Sequence, residues 1–142
     1  MLTTRKGLLA IILMFFFVGA GRDLWQFDSK ETPVITEQSK THILYGDSRG
    51  GGHLAGTDKP CKSEFPDDWN PEKIIEEINT VAANDNLNWV RQDNGYYKVE
   101  KMVEDVRIRV IVNRQKNEVV TAYPTNIGRN PCPAPANDNS SR

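Results

Sequence analysis

The chain has 142 residues, 18 Lys+Arg against 19 Asp+Glu, two Cys and a formal net charge of −1. One domain fills that length and leaves little room for a second. The near-neutral balance excludes a generally basic, histone-like nucleic-acid binder, so any RNA or DNA contact must come from a local patch.

The first twenty residues differ from the rest. Arg5 and Lys6 precede an uncharged apolar run that closes on the small residues Val18-Gly19-Ala20. A basic start, a short apolar stretch and a small-residue end form the pattern of a secretory signal peptide over residues 1–20. The run falls short of the roughly 20 apolar residues that span a bilayer, although an uncleaved anchor stays open as the alternative. The expected location is secreted or periplasmic, with membrane contact only through the leader. In an exported chain Cys61 and Cys132 most simply form one disulfide, with two unpaired thiols as the alternative.

Residues 21–40 read as a polar linker, with room for a short helix around Asp23–Phe27. Further on, Asn70-Pro71-Glu72 is a helix start: a capping side chain, a proline at the first helical position and an acid in the first turn. Ile74, Ile75, Ile78, Val81 and Ala82 then recur at three- and four-residue steps. That spacing predicts a helix from Pro71 to about Ala83 with one apolar face.

After the helix the period changes to two. Leu87–Arg91 is a candidate strand, Asn94-Gly95 a hairpin turn, and Tyr96–Val103 a second strand. Val106, Ile108, Val110 and Val112 alternate with Arg107, Arg109 and Ile111, and Glu118–Tyr123 is a last strand stopped by Pro124. Short turns between strands favour antiparallel pairing. The expected fold is a small α+β domain over residues 41–131, a helical part packed on an antiparallel sheet. The Pro-, Asn- and Ser-rich residues 132–142 read as a disordered tail.

Two histidines exist, His42 and His53, both in the segment HILYGDSRGGGH. Histidine gives and takes protons near neutral pH, so a pair can serve as general base and general acid. Glycines such as Gly51 and Gly52 let backbone N–H groups approach an anion closely. Taken alone, the same residues are equally consistent with a solvated loop. A zinc site is a weaker option, because the spacing fits no standard zinc pattern. Phe65, Pro66, Trp69, Trp25 and Trp89 read as packing and turn residues rather than base-stacking platforms.

The order of segments narrows the choice. HILYGDSRGGGH is followed by KPCKSEFPDDW, the helix, VRIRVIV, TAYPTN and GRNP. From about His42 to Pro131 the chain resembles the bacterial EndoU endoribonucleases, the toxin-type relatives of the EndoU enzymes of eukaryotes and coronaviruses. The resemblance implies a small α+β fold of the class that barnase and RelE share. It also implies RNA cleavage by attack of the ribose 2′-hydroxyl, leaving a 2′,3′-cyclic phosphate and a 5′-hydroxyl. No cofactor is implied as a requirement, and manganese stimulates some relatives. RNA, tRNA among the candidates, is the implied partner, and a toxin relative would have a cognate immunity protein. An inactive EndoU-like module that binds RNA or protein is the rival reading.

Position by position, His42 and His53 match the two catalytic histidines, with His53 favoured as base and His42 as acid. Lys62 matches the family lysine, with Lys59 as fallback. Thr121 and Tyr123 match the Ser/Thr-x-Tyr pair, and their spacing by two puts both on one strand face. Between Lys98 and Lys116, six basic residues, Arg107 and Arg109 among them, stand against three acidic ones. That stretch is the candidate track for the RNA backbone.

Overall fold

The computed structural model describes residues 32–135. The leader, the helix expected around Asp23–Phe27 and the last part of the tail lie outside the described residues. Two helices precede a four-stranded antiparallel sheet. They are α1 (Glu37–Tyr45) and α2 (Pro71–Ala82), then β1 (Val90–Arg91), β2 (Tyr97–Val103), β3 (Val106–Val112) and β4 (Val119–Pro124), paired in that order.

α2 forms as its sequence requires. The Asn70 side chain accepts from the Lys73 N–H at 2.8 Å and Pro71 takes the first turn. Ile74, Ile78 and Val81 are fully buried. They meet Val106, Ile108, Val110 and Val112, which alternate inward along β3. Phe65 and Trp69 close this core at one end and stack on each other at 5.9 Å.

α1 was not expected, and it begins inside the stretch read as a linker. Its apolar face is short, with only Ile43 and Leu44 buried beside Ser39. Its ends are capped, however. Thr36 accepts from the Ser39 N–H at 3.1 Å, and Gly46, at φ 80°, returns its N–H to the carbonyls of Thr41 and His42. The helix packs against β4 while α2 packs against β3.

Strand boundaries differ from expectation in β1, β2 and β4, the smallest changes being starts at Tyr97 and Val119, one residue later than expected. β1 is reduced to Val90 and Arg91, because the Leu87 N–H and the Trp89 indole both turn back to the Asn84 carbonyl. Pro124 does not stop the last strand but is its final, buried residue. β4 lies at the sheet edge, where a missing N–H donor is tolerated.

The β3–β4 ladder contains an irregularity that matters for the site. Val112 pairs with Val119 and Ile111 with Thr121, so Val120 is an extra residue. Beyond this bulge Ala122 points into the core, while Thr121 and Tyr123 share the outer face with Ile111 and Arg109.

Candidate active site

A cleft of about 530 Å³ opens where α1, the following glycine loop, the 61–63 segment and the outer face of β3–β4 converge. His42, His53, Lys62, Thr121, Tyr123, Arg109, Gly51 and Cys61 line it. Residues far apart in the chain are therefore brought to one surface. Gly52 and Arg107 do not line it.

The glycine loop does this by folding back on α1. The Gly52 N–H donates to the His42 carbonyl at 3.0 Å, His53 N–H to Ile43 at 2.8 Å and Leu54 N–H to Leu44 at 3.0 Å. Gly51 sits at φ 77°, and a Cβ there would stand 1.9 Å from the His42 carbonyl oxygen. Glycine is thus demanded by the close passage of two backbones. The Gly50 and Gly52 N–H groups are already donated, to Asp47 and His42, so these two serve geometry rather than an anion cradle.

The two histidines are held differently. His53 is 6% exposed, and its Nδ1 lies 2.7 Å from the Ser63 carbonyl. A carbonyl oxygen only accepts, so Nδ1 carries the proton and Nε2 holds the lone pair in the neutral ring. Burial pushes the His53 pKa down from its ordinary value, and the nearby charge of Lys62 and His42 acts in the same direction. The ring also stacks on Tyr123, with centroids 5.4 Å apart.

His42, in the last turn of α1, meets Asp47, whose Oδ1 lies 3.0 Å from its Nδ1. Asp47 is fixed in turn by Arg49, through the guanidinium at 2.7 Å and the backbone N–H at 2.8 Å. Hydrogen bonds from Arg49 and then from His42 hold the Asp47 carboxyl well below the usual carboxylate range. Sequence reasoning missed Asp47. The signal was present, an acid five residues after a histidine across a glycine turn, but the turn itself could not be drawn from the sequence.

Lys62 approaches the loop from the other side. A Cβ on Gly50 would stand 3.3 Å from its ammonium nitrogen. Among the described residues Lys62 has no carboxylate partner. Lys59 is exposed and packs against Gly52. The Lys62-Ser63 segment is anchored by Ser63, whose hydroxyl donates to the Pro124 carbonyl at 2.7 Å. Glu64 ties the neighbouring loop together, accepting from the Gly56 and Asp58 N–H groups, the Thr57 hydroxyl and the Asn130 amide. Cys61 and Cys132 form a disulfide at the rim.

On the sheet, Arg109 donates to Glu100 on one side and to the Tyr123 hydroxyl at 3.2 Å on the other. Arg114 donates to the Asn94 carbonyl and Lys116 lies over the Tyr97 ring. Three of the six basic residues between Lys98 and Lys116 are therefore already partnered. Among the described residues, no group of three or more His, Cys, Asp or Glu side chains could hold a metal ion.

No curated protein and no solved structure matches the chain. A family model does, that of the bacterial EndoU nuclease, over residues 56–126. The match takes in Lys62, the helix, the sheet and the Thr121–Tyr123 pair, and it starts just after His53. It covers half of the 142 residues and runs through the walls of the cleft, so the chain belongs to the bacterial EndoU nuclease family.

Proposed function

We propose that this nuclease cuts RNA, with His53 as general base and His42 as general acid. The observation that carries the proposal is the contrast between the two rings. His53 is buried, biased toward its neutral form and fixed with a lone pair on Nε2. It is built to accept a proton. His42 shares the cleft and is braced through Nδ1 by Asp47, which leaves Nε2 for proton exchange.

In the proposed step, His53 Nε2 takes the proton of a ribose 2′-hydroxyl. The 2′-oxygen bonds to phosphorus as the bond to the leaving 5′-oxygen breaks. His42 gives that oxygen its proton. The products are a 2′,3′-cyclic phosphate and a 5′-hydroxyl. The Lys62 ammonium stands against the extra negative charge on the phosphorane oxygens. Tyr123 and Thr121 contact the sugar and base beside it. No cofactor enters this scheme, and manganese would act only as a stimulant.

The Cys61–Cys132 disulfide supports an oxidising compartment, secreted or periplasmic, as the place of action. Among the described residues no helix is long and apolar enough to cross a membrane. A tRNA target and a toxin role paired with an immunity protein follow only from kinship with toxin-type relatives.

The deciding experiment is cleavage of tRNA and of uridine-containing oligonucleotides by the disulfide-bonded protein, with analysis of product ends. Cyclic-phosphate ends that vanish in both His42→Ala and His53→Ala support the proposal. No cleavage by a folded wild type would transfer the case to a module that binds RNA or protein without cutting it.

A further inference from the structure

Three arginines line the cleft. Two are committed: Arg49 is paired with Asp47 at 2.7 Å, and Arg109 is paired with Glu100. The third, Arg129, is exposed and has no ion pair or side-chain hydrogen bond among the described residues. It lies three residues beyond the end of the family match.

Its position is nevertheless fixed. Arg129 forms an antiparallel bridge with Ser63, the residue whose carbonyl anchors His53. The next residue, Asn130, donates its N–H to the Lys62 carbonyl at 2.8 Å and its amide to the Lys59 carbonyl at 3.0 Å. Two residues further, Cys132 is joined to Cys61. Residues 129–132 are thus a strap laid along the Lys62 segment and pinned covalently.

We propose that Arg129 binds an RNA backbone phosphate adjacent to the one that is cut. The inference rests on the ribonuclease reading and adds to it a residue and a ligand group. An unpaired guanidinium offers a planar fork of donors that fits a phosphate, and it loses no internal partner on binding. The strap brings that fork to the same wall as Lys62, so one phosphate can lie at Lys62 while its neighbour along the strand meets Arg129. Its contacts are to the backbone, so it adds affinity without reading sequence.

The test uses a uridine-containing oligoribonucleotide with a 2′-O-methyl group on every ribose, which cannot be cut. Its affinity for the disulfide-bonded protein is measured across a series of salt concentrations. Arg129→Ala is expected to weaken binding about tenfold at low salt and to reduce the salt slope by about 0.7, the share of one single-strand phosphate. Arg129→Lys keeps the slope but recovers only part of the affinity. Arg91→Ala, a charge removed outside the cleft, changes neither. With a cleavable RNA, Arg129→Ala raises KM and leaves kcat within about twofold. An unchanged slope and KM in Arg129→Ala, beside a wild type that cuts RNA, overturns this inference alone. A wild type that neither binds nor cuts RNA overturns the ribonuclease reading and this inference with it.

Discussion

His53 donates its Nδ1 proton to the carbonyl of Ser63 at 2.7 Å, and this single bond sets the tautomer of the buried histidine. Ser63 is itself held by Pro124 at the end of β4 and bridged to Arg129. The orientation of one imidazole is therefore secured by three separate parts of the chain.

The pH profile should report this environment. A base works unprotonated, and burial places the His53 pKa below its ordinary value. The acid limb of kcat/KM is therefore expected below about pH 6.5, the value of an unperturbed histidine. Lys62→Met removes a charge that depresses His53, so the limb should move up in pH. A limb that stays fixed would show that the lysine does not act on this ring. Stability follows the same sign. The unfolded chain binds the proton more readily than the folded one, so stability falls as pH drops from about 6.5 toward the folded pKa.

Asp47 is a positioning residue. Asp47→Asn keeps the shape of the side chain but loses the carboxylate that braces His42. We expect kcat to fall roughly tenfold or more, with KM and melting temperature nearly unchanged. His42→Ala should cost more, about 10²–10⁴-fold. Equal losses in the two variants would mean that Asp47 does more than orient the ring.

Two glycines separate crowding from backbone strain. Gly51 and Gly56 both sit at positive φ, 77° and 82°. A Cβ on Gly51 would strike the His42 carbonyl at 1.9 Å, while one on Gly56 meets nothing within 4 Å. Gly56→Ala should cost about 1 kcal/mol from strain alone, and Gly51→Ala clearly more, with loss of activity. Urea unfolding of the two variants makes the comparison.

Replacing Cys61 and Cys132 with serine opens a loop whose ends are 71 residues apart in sequence. The expected loss is about 4 kcal/mol on the chain-entropy account. Chemical denaturation with and without reductant measures it. A reduced wild type as stable as the oxidised one would show that the bridge shapes the cleft rim without stabilising the fold.

The fold was largely legible because α2 and β3 carry strong periodic signals. Asn70 and Pro71 mark a helix start, and Val106, Ile108, Val110 and Val112 can face only one way in a sheet. α1 was not legible through periodicity, since Ile43 and Leu44 are its only buried apolar residues. Its caps, Thr36 and Gly46, were the readable signal. At the site, the residue types and their order pointed to His42, His53, Lys62, Thr121 and Tyr123, all of which line one cleft. Asp47 left a local trace, an acid five residues after His42, but the turn that joins them could not be drawn, and the placing of Arg129 depends on a strap across 66 residues from Glu64 to Asn130. Proximity of that kind is written in no local pattern.

The extra residue in β4 has a consequence of its own. In a regular strand, the face a side chain occupies and the direction in which it is aimed are set together. Val120 uncouples them. Without it the pairs Val112–Val119 and Ile111–Thr121 would be consecutive rungs of a plain ladder, and Tyr123 would keep the same side of the sheet. The bulge adds local bend and twist. The aim of Tyr123, whose ring stacks on His53, is thus set by the bulge as well as by the alternation of the strand.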